Sequence, residues 1–169
     1  MGILARRLGL SRYQADERYH AALRAYRERN LKTAKAEVES AIELLPTRAE
    51  YHATLGYFLL EDKDALGAME AFGRALELHP YEMLANYGQG MMAYRDKDWE
   101  RAAACFTNAL AAQPERAETQ YYLAMVNHRL GHNSEAVKWM TSAAAAFAES
   151  EDQREGHCQA WIKEFLRLI

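Results

Sequence analysis

The chain has 169 residues, 50% hydrophobic and 27% charged, with a formal net charge of −3. That balance supplies enough apolar surface for the buried core of one domain and excludes a chain disordered by composition. It also lacks the strong basic excess of a nucleic-acid binder, and no stretch reaches the roughly 18 consecutive apolar residues that a membrane-spanning helix needs.

In the opening "MGILARRLGLSRY", Arg6 and Arg7 are followed by only Leu8, Gly9 and Leu10, so no export signal is expected. Gly2 does not read as a myristoylation site, because Arg6 stands where that motif needs Ser or Thr. Residues 1–14 read as a short appendage, with Ile3, Leu4, Leu8 and Leu10 unassigned. Ser11 and Gln14 form a capping box that starts the first helix near Arg12. Residues 1–35 hold nine Lys/Arg against three Asp/Glu. This reads as a solvated basic helix face, with a docking surface for an acidic partner, nucleic acid or anionic lipid as the alternative. Nucleic acid or an anionic membrane surface, met through Arg6, Arg7, Arg12, Arg18 and Arg24, is a disfavoured partner.

From residue 15 onward the chain repeats itself. Its three prolines, Pro46, Pro80 and Pro114, are 34 residues apart. Ala34, Ala68, Ala102 and Ala136 keep the same spacing, as do Ala41, Ala75, Ala109 and Ala143. A bulkier apolar column, Val38, Phe72, Phe106 and Met140, lies between them, and a small one, Ala22, Gly56, Gly90 and Ala124, precedes them. Within a unit, Ala34, Val38, Ala41, Ile42 and Leu45 recur at intervals of three and four, which draws one apolar stripe on a helix. Proline cannot continue that helix and disfavours helical geometry in the residue before it, so a second helix follows. Gly56 and Gly90 mark close approaches between the two. The predicted repeats are 15–48, 49–82, 83–116 and a degenerate 117–150, in which Asn127 and Asn133 occupy apolar columns and Ala148 replaces proline.

Ser150 to Gln153 reads as a second capping box. It introduces a helix over 151–169 with Cys158, Trp161, Ile162, Phe165, Leu166 and Ile169 on one stripe. Such a helix would cap the last repeat, whose apolar face needs a cover.

Leu55, Gly56, Ala68, Phe72, Ala75 and Pro80, followed by Gly90, Trp99, Ala102, Phe106, Ala109 and Pro114, resemble the pattern of the tetratricopeptide repeat family. The early Trp of that pattern is replaced by Arg18, His52, Asn86 and Gln120. The resemblance implies an all-α fold, a right-handed α-solenoid of antiparallel helix pairs. It also implies that the first helix of each pair lines a concave face. That face would carry Tyr19, Leu23 and Tyr26; Ala53, Tyr57 and Leu60; Tyr87, Met91 and Tyr94; and Tyr121, Met125 and His128. None of these positions is charged, and tyrosine suits a half-wet contact that also offers a hydroxyl.

Asp16, Glu50 and Glu118 fall at the starts of these lining helices, and Arg27, Arg95 and Arg129 at their ends. Complementarity to the helix dipole explains such a pattern; an arginine rail for ligand carboxylates is the sharper alternative. The family's carboxylate clamp for chaperone tails needs Lys and Asn where this chain has Tyr19, Leu23, Thr54, Leu84 and Gly88, so that role is disfavoured.

No catalytic constellation emerges. His128 and His132 are read as exposed histidines rather than metal ligands, and Cys105 and Cys158 as inert core thiols. Two cysteines without a CxxC pair favour a reducing, cytoplasmic setting. The expectation is a non-catalytic adaptor without cofactor or metal, binding a partner peptide or helix in a Tyr/Met-lined groove. A self-assembling protein whose groove receives residues 1–10 of a neighbouring copy is the alternative.

Overall fold

The structure, a computed structural model, describes residues 3–169, with side chains from Leu10 onward. Every regular element among these residues is an α-helix: α1 Ile3–Arg27, α2 Leu31–Leu44, α3 Ala49–Glu61, α4 Ala65–Leu78, α5 Met83–Arg95, α6 Trp99–Ala112, α7 Ala117–Arg129, α8 Asn133–Glu149 and α9 Arg154–Leu166.

The prolines act as the sequence predicts. α2, α4 and α6 stop two residues before Pro46, Pro80 and Pro114, and the intervening Leu45, His79 and Gln113 have φ of −143°, −147° and −136°. These are the extended conformations that a following proline favours. With Ala148 in the proline column, α8 has no such stop and reaches 17 residues against 14 for α2, α4 and α6.

The turn inside each pair has a different device. Arg29, Lys63, Lys97 and Gly131, again 34 apart, have φ of 60°, 66°, 61° and 80°. Each sits in a Schellman closure: the amides of Asn30, Asp64, Asp98 and His132 bond back to the carbonyls of Ala25, Leu59, Ala93 and Asn127. Glycine is the usual occupant, yet three of the four are basic; a cation here faces the negative end of the helix dipole. The next residue caps the second helix: Asn30, Asp64 and Asp98 accept from the amides of Thr33, Gly67 and Arg101.

The chain divides into two compact units, Met1–Ala85 and Asn86–Ile169. In the first, α1 pairs with α2 and α3 with α4. Ala15, Ala22, Val38, Ala41, Tyr51 and Phe58 share one buried cluster. A Cβ on Gly56 would lie 2.6 Å from the Phe72 ring, so glycine is the condition for α3 to pack on α4. The second unit repeats this: a Cβ on Gly90 would lie 2.6 Å from Phe106. There α9 packs on α8, burying Cys158 and Phe165 beside Met140, Ala144 and Phe147.

Two helix starts differ from expectation. α1 begins at Ile3 rather than near Arg12, leaving Ser11 and Gln14 inside it. The one interruption there is Gly9, and a single glycine costs a helix only about 0.5–1 kcal/mol, too little to end it. The side chains of Ile3, Leu4 and Leu8 lie outside the described residues, while Leu10 is exposed. Ser150 does not begin α9: its hydroxyl donates to the carbonyls of Ala146 and Phe147, closing α8. Asp152 accepts from the amide of Arg154 in its place.

Candidate functional site

In the first unit the tyrosines of α1 meet α3. The Tyr19 hydroxyl donates to Glu50 Oε1 at 3.2 Å and pairs with Thr54 Oγ1 at 3.2 Å. Its ring lies 4.8 Å from that of Tyr51. Burial pushes the Tyr19 phenol up to about 12. The Tyr26 hydroxyl donates to that of Tyr57 at 3.2 Å, and its ring stacks on Phe58 at 4.9 Å. Leu23 and Leu60 are half-buried on the same helices, and Ala53 is fully buried.

Tyr51, which the sequence reading passed over, is the centre of this contact. It is fully buried, and its hydroxyl donates to Asp16 Oδ1 at 2.5 Å. Burial first, then the bond to Asp16, raise its phenol well above the usual range. Asp16 therefore is a hydrogen-bond partner across two helices. Its expected place at a helix start is lost because α1 begins far upstream.

The second unit is organised around Tyr122, also unforeseen. Its ring stacks on Phe106 at 5.9 Å and receives Tyr87 at 6.3 Å, Tyr94 at 5.5 Å and Tyr121 at 5.5 Å, all edge-on. Tyr94 also meets Trp99, and the Arg116 guanidinium sits 5.0 Å over Tyr87, whose phenol burial pushes up to about 12. Met91 is half-buried among them.

Met125 and His128 do not share an open surface with these rings. Met125 is buried, and His128 stacks on Phe165 of α9 at 4.7 Å with its Nδ1 2.9 Å from Asn133 Oδ1. α9 thus covers the end of α7 where these residues point, and His128 is not the exposed histidine expected.

Beside them lies a cleft of about 220 Å³ lined by Glu118, Tyr121, Tyr122, Phe147, Arg154 and His157. Arg154 holds its rim. The guanidinium bonds Asp152 and Glu118 at 2.6 and 3.1 Å and lies 4.2 Å over the Phe147 ring. Its hydrogen bond lowers the Asp152 carboxyl to about 2.

The flanking arginines behave differently from one another. Arg27 Nε donates to the Leu23 carbonyl, Arg129 lies over the Trp99 ring at 5.9 Å, and Arg95 is exposed in the last turn of α5. The column that replaces the family's Trp also has a use. His52 Nε2 is 2.8 Å from the Pro46 carbonyl, and Gln120 Nε2 donates to that of Pro114 at 2.7 Å. Each ties a turn to the helix after it. Among the described residues no group of three His, Cys, Asp or Glu side chains forms a metal site, and no helix is long and apolar enough to cross a membrane.

These features define an all-α solenoid built from helix pairs, with an aromatic seam between the first helices of the two pairs in each unit. The profile of the tetratricopeptide repeat matches residues 67–104 and 87–151, half of the chain between them, and the chain belongs to that family. No curated protein sequence matches it. Among solved structures it is similar to MamA from Desulfovibrio magneticus, at 16% identity and a TM-score of 0.64, covering 92% of this chain and 94% of that one. It is similar also to PilF of Pseudomonas aeruginosa, at 18% and 0.70, covering 94% and 76%. A third is the first repeat domain of Spaghetti (RPAP3) bound to the HSP90 peptide SRMEEVD, at 13% and 0.65, covering 70% and 97%. At these identities the likeness concerns the fold.

Proposed function

We propose that the chain is a non-catalytic scaffold that holds a peptide or helix of a partner protein on the tyrosine-bearing faces of its first-of-pair helices. The contact surface is made by Tyr19, Leu23, Tyr26, Tyr57 and Leu60 in the first unit and Tyr87, Met91, Tyr94 and Tyr121 in the second. The observation that carries this reading is the cleft between Tyr121, Tyr122 and Phe147. It has room for one large side chain, is walled by rings, and has a fixed polar rim in Arg154 and Glu118. Apolar anchors seated in such clefts supply most of the energy of an interface. The repeat domain of Spaghetti with its bound peptide is a precedent for the class of ligand. Two separate, buried, unpaired thiols, Cys105 and Cys158, support a reducing cytoplasmic setting.

Selection of a displayed peptide library on the purified chain tests the reading. Peptides with a large apolar anchor should be enriched, and His157→Trp, a change at an exposed position that fills the cleft, should abolish their binding while leaving the melting curve in place. Failure to enrich any peptide, or binding indifferent to the filled cleft, contradicts it.

A second reading is self-association through α1, where Leu10 is 58% and Tyr13 61% exposed. Light scattering across a concentration series on the full chain, and on Leu10→Ser with Tyr13→Ser, decides it. A dimer that dissociates in the double variant favours it; a monomer throughout rejects it.

A further inference from the structure

A larger concavity lies in the first unit, away from the ring-walled cleft. It measures about 470 Å³ and is lined by Tyr26, Arg27, Arg29, Leu31 and Glu61, where the end of α1, the start of α2 and the end of α3 meet. Two exposed arginines supply its cations. The backbone of Arg29 is set by its left-handed conformation, with its amide bonded to the Tyr26 carbonyl at 2.9 Å. Arg27 Nε is tied to the Leu23 carbonyl, which leaves its two terminal nitrogens, like the whole Arg29 guanidinium, without a partner among the described residues.

The helix dipole accounts for part of this charge, since Arg27, Arg95 and Arg129 stand in the last turns of α1, α5 and α7, and Lys63 just beyond the end of α3. It does not account for the surplus here. The turns of the later repeats read Glu61-Asp62-Lys63-Asp64, Arg95-Asp96-Lys97-Asp98 and Arg129-Leu130-Gly131-His132, whose formal charges sum to −2, 0 and +1; Arg27-Glu28-Arg29-Asn30 also sums to +1, and it alone sets two arginines against one acid. The second and third turns set an acid on each side of their lysine and the fourth has glycine in that place; the first turn has Glu28 alone, and Lys32 follows it.

The walls restrict what can enter. Leu31 and the Tyr26 ring, which is stacked on Phe58, offer an apolar strip for a short aliphatic stem. Glu61 on the opposite wall repels a doubly charged group more than a single carboxylate, which disfavours phosphate monoesters. Guanidinium forks match the planar geometry of a carboxylate.

We propose that this corner cleft binds a carboxylate of an acidic segment of a protein partner between Arg27 and Arg29. The proposal rests on the reading of the chain as a peptide-binding scaffold and gives it a second contact point of defined charge. The carboxylate can be an Asp or Glu side chain or a chain terminus.

The test is fluorescence anisotropy of the full chain with a labelled pentaglutamate peptide at low salt, carrying either a free or an amidated C-terminus. A pentaglutamine peptide is the control. Pentaglutamate should bind and pentaglutamine should not. Loss on amidation assigns the terminal carboxylate, and retention assigns the side chains. Arg27→Gln with Arg29→Gln should weaken binding by about tenfold or more, as expected for charged hydrogen bonds. Arg29→Gly removes the same charge while relieving the left-handed turn, so it should weaken binding in a chain at least as stable as the original. Glu61→Gln should tighten it. Arg95→Gln with Lys97→Gln, at the corresponding turn of the third repeat, should change nothing. The proposal is overturned if pentaglutamate does not bind, if the Arg95/Lys97 variant loses as much as the Arg27/Arg29 variant, or if Glu61→Gln has no effect. The His157→Trp chain should keep this binding, so a failed scaffold reading and a failed corner site give different results.

Discussion

The Tyr51 hydroxyl in α3 donates to the Asp16 carboxylate in α1 at 2.5 Å, inside a contact where Tyr51 is fully buried. Sequential repeats in the first unit are thus joined by a charged hydrogen bond as well as by ring packing. Tyr51→Phe should destabilise the chain by about 1–3 kcal/mol, because it strips the carboxylate of a partner and keeps the ring. Tyr51→Ala should cost more, about 3–5 kcal/mol. Denaturant midpoints of the two variants check the order.

The same phenols set a response to alkali. Tyr19 and Tyr87 are pushed up to about 12 and Tyr51 beyond the usual range, whereas an unfolded tyrosine ionises near about pH 10. Their folded values lie above the unfolded one, so the stability they contribute is complete below pH ~10 and is lost as pH rises through the folded values. Tyrosinate absorbance should therefore appear in two phases. The later phase, from Tyr19, Tyr51 and Tyr87, should coincide with loss of helix. A single phase with intact helix contradicts this.

The left-handed turns make a prediction of opposite sign. A side chain at positive φ costs roughly 1–2 kcal/mol, part of which returns as unfolded-state entropy on changing to glycine. Lys63→Gly and Lys97→Gly should each raise stability by up to about 1 kcal/mol, and Gly131→Ala should lower it by about the same. Gly73, helical with open space around its missing Cβ, should gain about 0.5–1 kcal/mol as alanine. Thermal midpoints of the four single variants suffice.

The repeat columns were legible because they are steric. Gly56 and Gly90 have no room for a methyl group against Phe72 and Phe106, and Pro46, Pro80 and Pro114 each stop a helix, so these positions declare themselves in the chain. Interactions between repeats were not legible. Tyr51 and Tyr122 lie off the stripe that periodicity highlights, and their partners Asp16 and Tyr87 are 35 residues away in sequence. The turns escaped notice because Arg29, Lys63 and Lys97 hold a conformation for which glycine is the recognised signal. His52 and Gln120 looked like a lost Trp column, and their bonds to proline carbonyls show only in space.

α9 should matter to the second unit out of proportion to its length. Phe165 is fully buried against His128 and Cys158 sits beside Met140, so Phe165→Ala should cost about 3–5 kcal/mol. Removing residues 151–169 should expose the apolar side of α8 and promote aggregation. A truncated chain that melts and dissolves like the full one contradicts this role for α9.

The most direct test of the scaffold reading is an NMR titration of the isotope-labelled full chain with a peptide enriched on it from a displayed library. The account predicts shifts concentrated on Tyr121, Tyr122, Phe147 and His157 around the ring-walled cleft. Shifts confined instead to the exposed Leu66 and Met69 on α4, with the cleft resonances unmoved, would contradict it.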